Sequence, residues 1–324
     1  MLRLFTIYSW MRLTILGGVV ELIHPARFLF NAGSTPKAWN KKMLNDEHFK
    51  ILHYEAHSGK IFPNTDIKGG IVISYRDDRK TFGSIGTFTP YKELNAILGK
   101  VRTSKGFESI SKIIVTSYAY HFTEQLYKDY PHLKTALSKG HEYDFKSNVF
   151  EKIPEVFENK RPSDGAGANY VRILGRVKGA REFKYIKKCY VNDVKNLDAF
   201  KVFLPGAIGT GQFGECISTP LIGIPADGST ETFLSIGMFT QREEAENTSK
   251  YIKTKFTRAL FGVLKRTQAN TPEKWRFVPL QDFTTASDID WTKPIPEIDR
   301  QLYAKYGLDE NEISFIEKNV KEMK

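Results

Sequence analysis

The first eighty residues set the tightest constraint, because they carry three strand-like runs and one helix-like run, too few elements to close an α/β layer. Val19-Val-Glu-Leu-Ile23 is a β-branched run closed by His24-Pro25, since a residue before proline is pushed to extended geometry. Ser34-Thr-Pro36 predicts a helix start, with Trp39 and Met43 on one face at i, i+4. Phe49-Lys-Ile-Leu-His-Tyr54 and Ile71-Val-Ile-Ser-Tyr75 are the next strands, separated by a loop carrying Phe62 to Gly70. A parallel-type sheet normally lies buried between two helix layers. These residues therefore read as the latter part of a larger α/β domain, completed by an upstream segment on another chain or left exposing apolar surface.

At 324 residues the chain has room for a further domain with its own core. From about residue 85 helical and strand patterns mix: Ile110 to Tyr130 predicts a helix and Asn169 to Val191 a strand pair. Ala199-Phe-Lys-Val-Phe-Leu204 and Ile217 to Ile224 are further strands. Thr240-Gln-Arg-Glu243 is a capping box opening one amphipathic helix, whose stripe is Ala245, Ile252, Phe256, Ala259, Leu260 and Val263. In the tail Pro296 starts a helix with Ile298 and Leu302 on a face, and Gly307 stops it. Asp309 with Glu312 opens a second, with Ile313, Ile316 and Val320. The expected division is 1–84, an α/β part; 85–284, an α+β domain; and 285–324, a helical tail.

Charge narrows the partner. The net charge is +11, and residues 282–324 hold 10 acids against 6 bases, so the rest carries +15 and suits a polyanion. Nine bases lie between residues 160 and 188 against two acids: Lys160, Arg161, Arg172, Arg176, Lys178, Arg181, Lys184, Lys187 and Lys188. Tyr170, Phe183 and Tyr185 are interleaved with them, the pattern of a nucleic-acid surface; the competing reading is a solvated basic hairpin. Lys250, Lys253, Lys255, Arg258, Lys265 and Arg266 form a second run, read first as cations complementing a helix dipole. The apolar run Leu13 to Val20 is far short of a membrane span, and no membrane partner is expected. Two cysteines, Cys189 and Cys216, fit a reducing compartment, the cytoplasm.

Two motifs carry little. Gly209-Thr-Gly-Gln-Phe-Gly214 matches GxGxxG, but Ile217-Ser-Thr-Pro220 cannot form the helix that would hold a pyrophosphate. A glycine-rich hairpin loop, whose backbone could approach a ligand, is the reading kept. Asp164 with Glu182-Phe-Lys184 has the spacing of a metal-dependent nuclease, but alternating charges on any half-exposed strand give the same pattern. No metal site is expected.

Three segments together carry a family resemblance. They are Ile23-His-Pro-Ala-Arg-Phe-Leu29 after Gly17-Gly18, Phe62-Pro63 followed by Ile67-Lys-Gly-Gly-Ile71, and Glu244-Ala-Glu-Asn with Thr254-Lys-Phe-Thr-Arg258. With Asp288-Ile-Asp-Trp291 and Ile298-Asp-Arg-Gln-Leu-Tyr-Ala-Lys-Tyr306, the chain resembles adenine-N6 DNA methyltransferases of type II restriction-modification systems, the TaqI-like and type IIG group. The resemblance spans the end of the methyltransferase domain and the target recognition domain. It implies a partial Rossmann-like methyltransferase sheet, double-stranded DNA as partner and S-adenosylmethionine as cofactor of the complete enzyme. In that family a glycine-rich turn holds the cofactor, and an Asn/Asp-Pro-Pro-aromatic loop holds the flipped adenine. Neither motif is in this sequence, so the expectation is no catalytic or cofactor-binding residue here and a separate chain supplying them. Phe62 matches the aromatic that stacks on the extruded base; packing under its own loop is the alternative. The rival functions are a restriction nuclease part and a specificity subunit that binds DNA without catalysis.

Overall fold

The computed structural model describes residues 18–30, 35–67, 69–162, 169–209, 211–265 and 268–323. The chain divides into two compact units, one ending at Asn95 and the other beginning at Ala96. It is mixed α/β, and its sheets are built mainly of antiparallel pairs.

In the first unit β1 (Val19–Pro25), β2 (Phe49–Glu55) and β3 (Ile71–Asp77) form a sheet in the order β1-β3-β2. The strand β3 is antiparallel to both neighbours, so β1 and β2 point the same way without touching. The helix α1 (Lys37–Asn45) packs here, N-capped by Pro36; Ser34 of the expected start lies outside the described residues. Met43 and Leu44 of α1 join Val20, Phe28, Phe49 and Val72 in the core, with Trp39 packed at its margin. Strand periodicity does the rest: Val20 and His24 are buried, whereas Val19 and Ile23 are 49% and 54% exposed. Leu52 sits at a bulge in β2 and is exposed too. His24 donates to or accepts from the Ser74 hydroxyl at 2.8 Å and stacks on Phe28.

The division falls within α2 (Lys92–Thr103), after which the helix expected over Ile110 to Tyr130 is largely absent. A 3-10 turn (Ile110–Ile113) leads into β4 (Ile114–Val115), and only α3 (Glu124–Asp129) is helical. The β-branched run through Val115 favours the sheet, where β4 pairs with β10 (Phe233–Phe239). A short α4 (Val149–Lys152) follows, then the hairpin β5 (Tyr170–Val177) and β6 (Ala180–Lys187). A four-stranded sheet runs β4-β10-β7-β8, with β7 at Phe200–Pro205 and β8 at Leu221–Gly223. The strand expected over Ile217 to Ile224 shrinks to three residues because Pro220 has no N–H for the ladder.

The single amphipathic helix expected after Thr240 is two helices. The capping box is Gln241 with Glu244, one residue later than expected, and it opens α5 (Arg242–Lys253) against β7, β8 and β10. Thr254 leaves helical geometry with ψ 150° and caps α6 (Lys255–Gly262) by accepting from the Thr257 N–H. The stripe survives the break: Ala245, Ile252, Phe256, Ala259, Leu260 and Val263 are all buried. Two helices end the chain, α7 (Ile295–Lys305) and α8 (Glu310–Asn319), the latter opened by the expected Asp309/Glu312 box.

The glycine-rich loop joins the antiparallel strands β7 and β8, and at Gly214 its backbone packs closely on the chain's own last helix. Gly214 has φ +72°, and a Cβ there would fall 1.9 Å from the Asn319 carbonyl oxygen. The Lys321 N–H donates to the Gly214 carbonyl at 2.9 Å. Thr210 of this loop lies outside the described residues. Among the described residues no helix is long and apolar enough to cross a membrane.

Candidate nucleic-acid interface

Strand alternation sorts the basic run. The hairpin closes through Lys178 (φ 49°) and Gly179 (φ 84°), the pair of left-handed residues that a two-residue turn matched to strand twist requires. Cross-strand partners share a face: Tyr170 with Lys187, Arg172 with Tyr185, Leu174 with Phe183, and Arg176 with Arg181. Val171 with Ile186, and Ile173 with Lys184, occupy the other face, where Val171, Ile173 and Ile186 enter the core with Leu126, Phe145 and Phe150. Four of the nine bases, Arg172, Arg176, Arg181 and Lys187, thus stand on one face with Tyr170, Phe183 and Tyr185.

The other five are distributed differently. Lys184 is on the core side, its ammonium 5.5 Å from the Phe150 ring. Lys178 is at the hairpin tip, and Lys188 pairs with Asp198 at 2.7 Å. Lys160 and Arg161 precede residues 163–168, which lie outside the description together with Asp164 of the nuclease-like spacing. Glu182 stands opposite Gly175, and among the described residues no group of three His, Cys, Asp or Glu side chains could hold a metal ion.

The cationic face rests on aromatic rings. The Arg172 guanidinium lies 4.2 Å from the Phe183 ring centre, and those of Arg176 and Arg181 lie 6.0 and 5.8 Å from Phe233. Leu174, Phe203 and Phe233 pack beneath, flanked by Phe183 and Leu221. Arg176 and Arg181 are directly opposite one another, a like-charge pair that costs stability. Arg181 donates to the Thr219 carbonyl at 2.8 Å and Arg176 to the Gly179 carbonyl at 3.4 Å; neither forms an ion pair with a carboxylate of the described residues. Burial and the facing Arg176 push the Arg181 pKa down.

Arg172 is the exception. It forms a two-pronged pair with Asp227 at 2.7 Å on each prong, and Asp227 is 1% exposed. That carboxylate holds its arginine's pKa up. Beside the pair is a cleft of about 160 Å³ lined by Arg161, Tyr170, Arg172, Tyr185 and the 224–227 turn. Asp227 sits on β9 (Asp227–Ser229), which runs parallel to β5. Sequence reasoning missed Asp227, 55 residues from its partner; the Pro225-Ala-Asp-Gly228 turn signal was the only trace of it.

The second basic run is engaged mostly within the chain: Arg258 and Lys265 are buried, and Lys250, Lys253 and Lys255 are half-buried. Arg258 is 2% exposed and donates to the carbonyls of Lys253 (3.1 Å), Glu215 (3.4 Å) and Lys321. Lys265 is buried against Glu215, Lys255 pairs with Glu317, and Lys250 donates to the Trp291 carbonyl. Arg266 lies outside the described residues.

In the first unit Phe62 is 41% exposed at the apex of the β2–β3 loop. Its N–H donates to the Ser58 carbonyl at 2.8 Å, and Thr65 donates back to the Phe62 carbonyl through N–H and hydroxyl. Ser58 ties the loop's two limbs, donating to the Thr65 carbonyl and accepting from the Ile67 N–H. Pro63 followed by Asn64 at φ 65° supplies the turn. The ring is therefore presented outward on a pinned loop; Lys68 lies outside the described residues.

No protein-family model matches this sequence, and no curated protein matches it.

Proposed function

We propose that the chain recognises double-stranded DNA through the cationic side chains of the β5–β6 hairpin and serves adenine-N6 methylation in a restriction-modification system. The observation that carries the DNA reading is the facing pair Arg176 and Arg181, which donate to the Gly179 and Thr219 carbonyls and form no ion pair among the described residues. Two like charges held opposite each other are stabilised when an anion such as a phosphate bridges or neutralises them. Alternating aromatic and cationic side chains on one strand face serve phosphate contact and base contact together.

The methyltransferase part of the proposal rests on the family resemblance, with two supporting features in the first unit. One is the sheet with an open face, suited to the closing strands of a larger Rossmann-like domain carried in part by another chain. The other is Phe62, exposed and rigidly presented, which suits stacking on an extruded adenine. The described residues do not fit S-adenosylmethionine: β1 ends at Pro25 and runs straight into a 3-10 turn (Ala26–Phe30) with no glycine to present backbone N–H groups. In this reading the cofactor belongs to the complete enzyme, and no step is assigned to it here.

The test is duplex binding by the purified chain, followed by fluorescence anisotropy from low to high salt. The reading expects sequence-selective binding whose log affinity falls linearly with log salt. Binding that is absent, or equal for duplex DNA and heparin, overturns it.

A further inference from the structure

Arg172 is held on several sides. Its Nε and Nη2 donate to the two Asp227 oxygens, its plane lies 4.2 Å from the Phe183 ring, and Tyr185 faces it across the ladder. Asp227 is anchored in turn, accepting from the Ile224 N–H at 2.9 Å. The pair uses two of the five N–H donors of a guanidinium, Tyr185 engages the side chain as well, and the remaining donors lie in a fixed plane beside the cleft.

The chemistry of the cleft selects the ligand. Asp227 already compensates the charge of Arg172, so a phosphate gains little there, whereas the direction of the remaining donors is undiminished. Arg176 and Arg181, which form no ion pair among the described residues, lie farther along the hairpin. Tyr170, Tyr185 and the part-exposed Ile224 give the cleft flat and apolar walls, which suit a planar heterocycle over a hydrated anion. Ala226 in the same wall has φ 67°, a conformation unfavourable for any side chain, kept at the turn that delivers Asp227. A neutral, planar group with two adjacent acceptors is the matching ligand, and guanine presents O6 and N7 that way in the major groove.

We infer that Arg172, oriented by Asp227, reads a guanine of the bound duplex through O6 and N7. This rests on the DNA reading above and adds a base identity to it. The test selects a preferred duplex from a randomised pool with the full chain, then replaces each guanine in turn by 7-deazaguanine, which keeps pairing but lacks the N7 acceptor. The expected result is one position where the replacement weakens wild-type binding about tenfold or more. Arg172→Lys keeps the charge and loses the fork, so it should bind both duplexes alike; its melting temperature is measured alongside. A selected site with no N7-sensitive guanine overturns the guanine assignment and leaves DNA recognition standing. Equal weakening of all sequences by Arg172→Lys, with no N7 effect, makes Arg172 a phosphate contact and also overturns it. A pool that yields no preferred sequence overturns both.

Discussion

The two base-rich stretches, Lys160 to Lys188 and Lys250 to Lys265, are alike in composition and opposite in use. On the hairpin a period of two lifts Arg172, Arg176, Arg181 and Lys187 onto one face above aromatic rings. Along α5, α6 and the residues just after them, Arg258 and Lys265 are buried, and the donors of Lys250, Lys255, Arg258 and Lys265 go to carbonyls and to Glu215 and Glu317. An arginine among packed helices serves as a hydrogen-bonding brace whose long stem fills space, and one on a half-open strand stays available. Charge count alone does not separate these uses; the element and what packs over it do.

The largest expected effect tests the internal side of that contrast. Arg258→Met should cost about 3 kcal/mol or more, because it removes a buried side chain that ties three carbonyls together, and DNA binding should fall only with the folded fraction. Chemical denaturation beside a binding assay measures both. A stable variant with weakened DNA binding would move Arg258 to the interface and break the comparison.

A second internal cation gives a pH signature. Lys201 is buried in β7, donating to the Leu197 and Asp227 carbonyls, and burial lowers its pKa to about 8. The folded chain therefore releases this proton before the unfolded one, whose lysine titrates near 10.4. Stability from this group grows as pH rises from about 8 towards 10.4 and is lost as pH falls back, by at most about 3 kcal/mol. Lys201→Met should flatten that rise in urea titrations across the window; an unchanged slope removes the buried-cation account.

Phe62 extends the contrast to rings. Because it is 41% exposed, Phe62→Ala should change stability by under about 1 kcal/mol, against the 3–5 typical of buried phenylalanines. In the methylating assembly proposed above, the same variant should slow methyl transfer about tenfold or more, and Phe62→Trp should retain most of it. A large stability loss would return the ring to a packing role. The smallest effect is expected at Lys184: it shares the hairpin but not the face, so Lys184→Ala should leave DNA affinity within about twofold.

Local signals were legible and distant ones were not. The strands β1, β2 and β3 and the helix α1, the hairpin, the Asp309 box and the apolar stripe through Val263 follow from short-range pattern and capping chemistry. The helix over Ile110 to Tyr130 failed because Ile114 and Val115 found a strand partner in β10, more than 100 residues away. Thr254 broke a stripe that looked continuous, since a cap can restart a helix without disturbing its apolar face. At the candidate site the bases and rings were visible in sequence, but their sorting into faces needed the register, and Asp227 needed the parallel pairing of β5 with β9.

The salt dependence of DNA affinity tests the central claim most directly, that surface cations of the hairpin, and not the internal ones, meet the phosphates. Wild type, the double variant Arg176→Ala with Arg181→Ala, and Lys250→Ala are titrated on the same selected duplex. The account predicts that the hairpin variant lowers the log–log slope by up to about 1.8, one phosphate per arginine, while Lys250→Ala keeps the wild-type slope. An unchanged slope for the hairpin variant, or a slope lowered by Lys250→Ala, would contradict it.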